Sequence, residues 1–156
     1  MHIRLIAVGD RQPGWVGDAC KIYSGRFPPQ WKFRIDQLAT ARRSRNGPAA
    51  DAKQAESDQI LARLAAGERL VLLDERGKQM GSSTLAGKLA GWQNDGRDVC
   101  FVIGGPDGVT DDCRQRADFV WSLSELTLPH GLARVFLTEQ LYRAWSLLSG
   151  HPYHRE

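Results

Sequence analysis

Three stretches in the C-terminal half carry residue types that can do chemistry. Gly104-Gly105-Pro106-Asp107-Gly108 directly follows an apolar run. Its glycines admit positive φ and the close approach of another backbone or a flat ligand. The spacing matches neither the G-x-G-x-x-G of a dinucleotide site nor the Gly-Lys-Ser/Thr ending of a phosphate loop, so a pyrophosphate cradle is not indicated. A tight turn and a ligand wall both stay open for these glycines. The second stretch, Leu123-Ser124-Glu125-Leu126-Thr127-Leu128-Pro129-His130, is rich in leucine where a surface loop would be polar. Such a loop can enclose an adenine ring, pack into a core or form an oligomer interface. The third is the terminus, His151-Pro152-Tyr153-His154-Arg155-Glu156. A metal site on His151 and His154 is disfavoured, because Pro152 prevents a helical i, i+3 pair and no cysteine is near. Aromatic, arginine and histidine together suit stacking on a base and contacting a phosphate; the plain alternative is a solvated tail. No serine or cysteine sits in a nucleophile-elbow context, which ranks a hydrolase last.

The elements that must position these stretches alternate between strand and helix. Strands are expected at His2–Val8, Trp31–Leu38, Leu70–Asp74, Val99–Ile103 and Phe119–Leu123. The second alternates, with Phe33 and Ile35 on a drier face. The runs Leu70-Val71-Leu72-Leu73 and Val99-Cys100-Phe101-Val102-Ile103 read as strands buried on both faces of a parallel sheet. Helices are expected at 15–23, with Trp15, Ala19 and Ile22 on one face behind Pro13; at 53–66, capped by Asp51 and closed by Gly67; from Ser82-Ser83-Thr84 to Trp92; from Thr110 or Asp111 to Ala117; and at 132–149, stopped by Gly150. The last helix carries Leu132, Val135, Phe136, Tyr142 and Trp145 and is apolar on more than one face. A two-fold dimer is the simplest source of a second surface for it. The pattern predicts an α/β fold with a largely parallel sheet. Ligands bind such sheets outside the carboxyl ends of the strands, here Leu73-Asp74, Ile103-Gly104-Gly105 and Ser122-Leu123-Ser124.

Length and composition bound the rest. At 156 residues the chain suits one domain, 1–156. It has no apolar run near the ~20 residues of a membrane span, and its N-terminal apolar run is too short for a signal peptide. Cys20, Cys100 and Cys113 are odd in number and form no CxxC pair, which predicts buried thiols in a reducing cytoplasm. The net charge of +3 is too mild to require a nucleic-acid partner. Its arginines nevertheless gather in the 39–50 loop (Arg42, Arg43, Arg45) and toward the end (Arg134, Arg143, Arg155).

Ile103-Gly104-Gly105-Pro106-Asp107-Gly108, Trp121-Ser122-Leu123-Ser124 through His130, Leu141-Tyr142-Arg143-Ala144-Trp145-Ser146 and the terminal His151–Glu156 together resemble the ribosomal RNA large subunit methyltransferase H family, the SPOUT-class pseudouridine N3-methyltransferases. Ile6-Ala7-Val8-Gly9 and Asp95-Gly96-Arg97-Asp98-Val99 fit as well, so the likeness spans the chain. Asp107 stands where the family pattern has Glu, Gly131 where it has Pro, and the arginine loop is the least alike segment. The resemblance implies a SPOUT fold whose C-terminal part is threaded as a trefoil knot. It implies a homodimer and a methyl donor, S-adenosylmethionine, contacted by Leu73, Gly104, Leu123, Ser124, Glu125, Leu126, Thr127 and Leu128. The implied reaction is methylation of N3 of a pseudouridine in 23S ribosomal RNA, on the assembled ribosome, with no metal. In that reaction His154 would assist deprotonation or orient the base, Tyr153 would stack on it, and Arg143 and Arg155 would stabilise negative charge or grip phosphates. The rivals are a non-catalytic ribosome-assembly factor and a SPOUT enzyme acting on transfer RNA.

Overall fold

A computed structural model describes residues 1–43 and 47–155; Arg45 of the arginine loop and Glu156 of the terminus lie outside the described residues. Five strands, β1 (His2–Val8), β2 (Lys32–Leu38), β3 (Arg69–Lys78), β4 (Val99–Ile103) and β5 (Phe119–Trp121), form one sheet in the order β2-β1-β4-β3-β5. Every pairing is parallel. Parallel neighbours need crossovers, and the helices supply them: α1 (Gly14–Ser24), α2 (Ala49–Ala62), α3 (Ser82–Asp95), α4 (Asp111–Arg116) and α5 (His130–Ser149).

Alternate strand residues feed two separate cores, one on each face of the sheet. Ile3, Leu5, Val71 and Phe101 face Leu85, Leu89 and Trp92 of α3 and Leu137 and Leu141 of α5. Ile6, Val8, Leu70, Leu72, Cys100 and Val102 face Ile60 of α2 and Cys113 of α4. This period-two partition explains the continuous apolar runs of β3 and β4, since neither face is wet. All three cysteines are buried and free. Burial pushes the Cys100 thiol up to about 12 and the Cys113 thiol up to about 11, out of the reactive range.

Several expected boundaries shift. α2 starts at Ala49 behind Pro48, so Asp51 lies in its first turn and is no cap. It ends at Ala62, leaving Leu64 and Gly67 outside it. Gly81, without a side-chain cap, replaces the expected serine cap of α3, while Ser82 donates to Gln140 of α5 at 2.8 Å. Thr110 caps α4 as expected, its hydroxyl accepting from the Cys113 amide at 3.4 Å. In α1 the inward residues are Val16 and Cys20, and Trp15 and Ile22 point outward, each more than half exposed. The expected apolar face was therefore read from the wrong set, one residue out of phase with the buried one.

β3 differs most. It continues four residues past Asp74, and both Leu73 and Lys78 pair with Trp121 of β5. The segment 74–77 thus bulges out between two pairings to one residue, a local doubling of the kind that re-aims side chains at sheet ends. Gly77 closes the bulge against the β5 backbone: a Cβ there would lie 2.5 Å from the Trp121 carbonyl carbon.

Candidate functional site

The carboxyl ends of β3, β4 and β5 open into a cleft of about 370 Å³, a size suited to a small ligand. Its floor is Leu73, Ile103 and Trp121. One wall is the glycine loop 104–108 and the other is the loop after β5. Leu73, Gly104, Leu123, Ser124, Leu126, Thr127 and Leu128 all line it. Glu125 is exposed and is not among the lining residues. Its place follows from the local turn. Ser122 donates to the Ser124 carbonyl at 2.9 Å, and the Leu126 amide donates to the Ser124 hydroxyl at 2.9 Å, which swings residue 125 to the rim.

The two loops are held by different means. Leu123 and Leu128 are half-buried anchors against the α3–α5 core, while Leu126 between them is 76% exposed. The glycine loop forms a turn at the edge of the cleft. It is a tight turn, the Gly108 amide donating to the Gly105 carbonyl at 2.9 Å, and it lines the cleft. Neither Gly104 nor Gly105 has room for a side chain. A Cβ would lie 2.7 Å from Val109 Cγ1 in the first case and 2.0 Å from Glu56 Oε2 in the second.

Sequence reasoning marked Asp74 only as a strand end and missed its partner. Asp74 accepts from Arg114 at 2.7 Å and from the Arg76 amide at 2.8 Å. Burial pushes its carboxyl up, but these hydrogen bonds and the nearby arginine charges outweigh that and hold it below the ordinary range. Arg114 sits on α4, forty residues away, and no local pattern announces the pair. His130, at the start of α5, also lines the cleft. Together with Pro106 it borders a second cleft of about 560 Å³ at the ends of β1 and β2, lined by Asp10, Arg11, Gln12, Thr40 and Arg42.

The terminal set gathers at the other end of α5. The expected polar tail folds as a short 3-10 turn, Pro152–Arg155. Tyr153 packs on Tyr142 with ring centroids 4.7 Å apart, lies under the Arg143 guanidinium at 4.9 Å, and donates its hydroxyl to Glu139 at 2.9 Å. Burial first, then the Glu139 carboxylate, push the Tyr153 phenol well above its usual value, so it stays a donor. Arg143 donates to the same Glu139 oxygen at 2.9 Å. His154 lies alongside with Nδ1 buried and without a hydrogen-bond partner, and Arg155 is exposed. Arg143 and Tyr153 are therefore brought together on Glu139, with His154 next to Tyr153 in the same turn. They are not brought to the cleft: His130 and Arg143 are thirteen residues apart on one helix, about 20 Å at 1.5 Å per residue.

The family model described as "Predicted SPOUT methyltransferase" matches residues 1–154. The chain belongs to the SPOUT methyltransferase family. Its relatives named ribosomal RNA large subunit methyltransferase H include proteins from Thioalkalivibrio sulfidiphilus and Methylibium petroleiphilum, 46% and 47% identical over 156 residues, with all of each chain covered. Full-length identity at that level puts the chain in the same branch of the SPOUT family. Among solved structures, a probable methylase family protein from Haemophilus influenzae superposes with a TM-score of 0.55 over 97% of this chain and 69% of its own, at 12% identity. A probable methyltransferase from Bordetella pertussis gives 0.52 over 91% and 95%, at 18% identity. These two support the α/β fold that SPOUT members share.

Proposed function

We propose that this chain, a single domain, transfers a methyl group from S-adenosylmethionine to N3 of a pseudouridine in 23S ribosomal RNA. It would act in the cytoplasm on the assembled ribosome, as a homodimer whose C-terminal segment is threaded as a trefoil knot. The observation that carries the reading is the cleft at the ends of β3, β4 and β5. Seven of the eight residues that family likeness assigns to the donor line it together. The donor fits what is there: apolar edges from Leu73, Leu123, Leu126 and Leu128, and a glycine wall cleared of side chains so that main-chain groups lie open.

When bound, S-adenosylmethionine supplies a methyl group already activated on its sulfonium. The chain's own residues then have three tasks. The leucines of the 123–128 loop would enclose the donor's flat base and exclude water. The terminal cluster would hold the acceptor: Tyr153 against the base, Arg143 and Arg155 on the charge that appears as the imide proton leaves, and His154 orienting the base or taking that proton. Arg11 and Arg42 in the adjoining cleft are placed for RNA phosphates.

The two half-sites lie at opposite ends of α5, so one chain cannot close a site alone. A two-fold axis placing two α5 helices antiparallel would bring one subunit's terminal cluster to the other's cleft. The outward Trp15 and Ile22 of α1 and the partly exposed Leu132 and Phe136 of α5 offer apolar surface for that contact.

The test is methyl transfer to ribosomes from a strain lacking the protein. Labelled S-adenosylmethionine is supplied and the digested large-subunit RNA is read by mass spectrometry. N3-methylpseudouridine is the expected product. Donor binding without that product would redirect the enzyme to another RNA such as transfer RNA, and absence of donor binding would leave an assembly factor.

A further inference from the structure

Glu56 is a carboxylate on α2 only 1% exposed, on a helix with no other role in the cleft. Its partner is Arg43, from the arginine loop. Arg43 Nη1 donates to Glu56 Oε1 at 3.0 Å and Nη2 to Oε2 at 3.3 Å. The Ala41 amide donates to the same carboxylate at 2.9 Å. That satisfies the buried charge. The guanidinium does more. Its Nε and Nη2 also donate to Asp107 Oδ2, at 3.0 and 2.8 Å, and Asp107 belongs to the glycine loop that walls the cleft.

We propose that Arg43 is a positioning residue for the methyl-donor site, clamping the glycine loop 104–108 to buried Glu56 through Asp107. The inference rests on the methyl-transfer reading for its purpose, and on these contacts alone for its mechanics. Gly105 shows how close the clamp sits, since a Cβ there would collide with the same Glu56 carboxylate that holds Arg43. No main-chain hydrogen bond among the described residues joins the arginine loop to the glycine loop. The two are tied through side chains: one guanidinium, planar and forked, engages both carboxylates at once. A lysine keeps the charge but cannot span both in that geometry. The clamp therefore links a segment 13 residues N-terminal to Glu56 with one 51 residues C-terminal to it, and fixes where the main chain at 104–106 stands.

Two readouts on the free protein, without RNA, test this. The first is amide hydrogen exchange at residues 105–108. The second is calorimetric binding of S-adenosylmethionine. Arg43→Ala and Asp107→Asn are expected to speed exchange at those amides and to weaken donor binding by about tenfold, with Arg43→Lys in between. In a separate assay with ribosomes as acceptor, turnover at saturating donor should change much less for Asp107→Asn than the donor KM does. Arg43→Ala strands a buried carboxylate, so if it fails to fold, Asp107→Asn, altered at the rim, carries the test. Wild-type exchange and wild-type donor affinity in the folded variants would overturn the clamp. A wild-type protein that binds no S-adenosylmethionine would instead overturn the methyl-transfer reading, while the exchange measurement would still decide whether the clamp exists.

Discussion

At the scale of single residues, His154 in the terminal turn and Asp74 at the cleft answer to different measurements. His154 stands off the donor cleft, with one ring nitrogen buried and unpartnered. His154→Ala is expected to lower single-turnover methyl transfer about a hundredfold and to leave donor affinity unchanged. Near-normal turnover with saturating donor and RNA would remove the histidine from the proton step. Asp74 makes a prediction about acid. Its folded pKa lies below the unfolded value, so its ion pair with Arg114 stabilises the fold above the unfolded carboxylate pKa of about 3.9. That contribution is lost as pH falls through the lower folded value. Urea melts of the wild type should therefore weaken steadily below about pH 4, and Asp74→Asn should flatten that slope; an unchanged slope would show that other carboxylates dominate it. Asp74 was visible in the sequence as an acid closing an apolar run. Arg43 was visible only as one of a loop of arginines, and Arg114 and Glu56 were not, because pairs separated by 13 to 40 residues on different elements leave no spacing to read.

At the scale of elements, periodicity worked where burial is two-sided or one-sided in a regular way. β4 and the first half of β3 were legible because parallel strands between two helical layers are near-continuous apolar runs, and β1 was legible from its alternation although Arg4 is buried at its centre. The phase of α1 was not legible, since a helix with apolar residues on both sides leaves open which face goes inward, and here Val16 and Cys20 do. The extension of β3 past Asp74 was also hidden. Asp74-Glu75-Arg76-Gly77-Lys78 looks like a turn, and only the tertiary pairing of both Leu73 and Lys78 with Trp121 makes it part of the sheet. Gly77 is the hinge of that arrangement, because backbone atoms that cannot yield lie 2.5 to 2.7 Å from its would-be Cβ. Gly77→Ala is expected to cost about 2 kcal/mol and to distort the cleft wall at 74–76. A thermal melt and a donor titration would check both, and an unshifted melting temperature would mean the bulge is free to move.

At the scale of the whole molecule, one 20-residue helix carries a cleft residue at its start and the aromatic–arginine cluster at its end. If sites are shared between subunits, defects at the two ends complement. Leu126→Arg spoils the exposed rim of the donor cleft without touching the core, and His154→Ala spoils the terminal cluster. Each alone should be inactive or nearly so. Refolded together, half the dimers are mixed and each has one intact site, so about a quarter of wild-type activity should return. No recovery, with mixed dimers demonstrated by mass, would mean each site is built from one chain.

The crowding around Gly104 and Gly105 has a consequence for drug resistance. Every single-base change in a glycine codon that yields another amino acid installs a Cβ, and at these two positions the added carbon meets Val109 Cγ1 or Glu56 Oε2 well inside contact distance. An inhibitor that draws its affinity from the main-chain atoms of this wall would be hard to escape at Gly104, where the short Val109 side chain and the Gly108 backbone hem in the added carbon, whereas at Gly105 the added carbon meets only the end of the Glu56 side chain, which could move aside if its bond to Arg43 were given up.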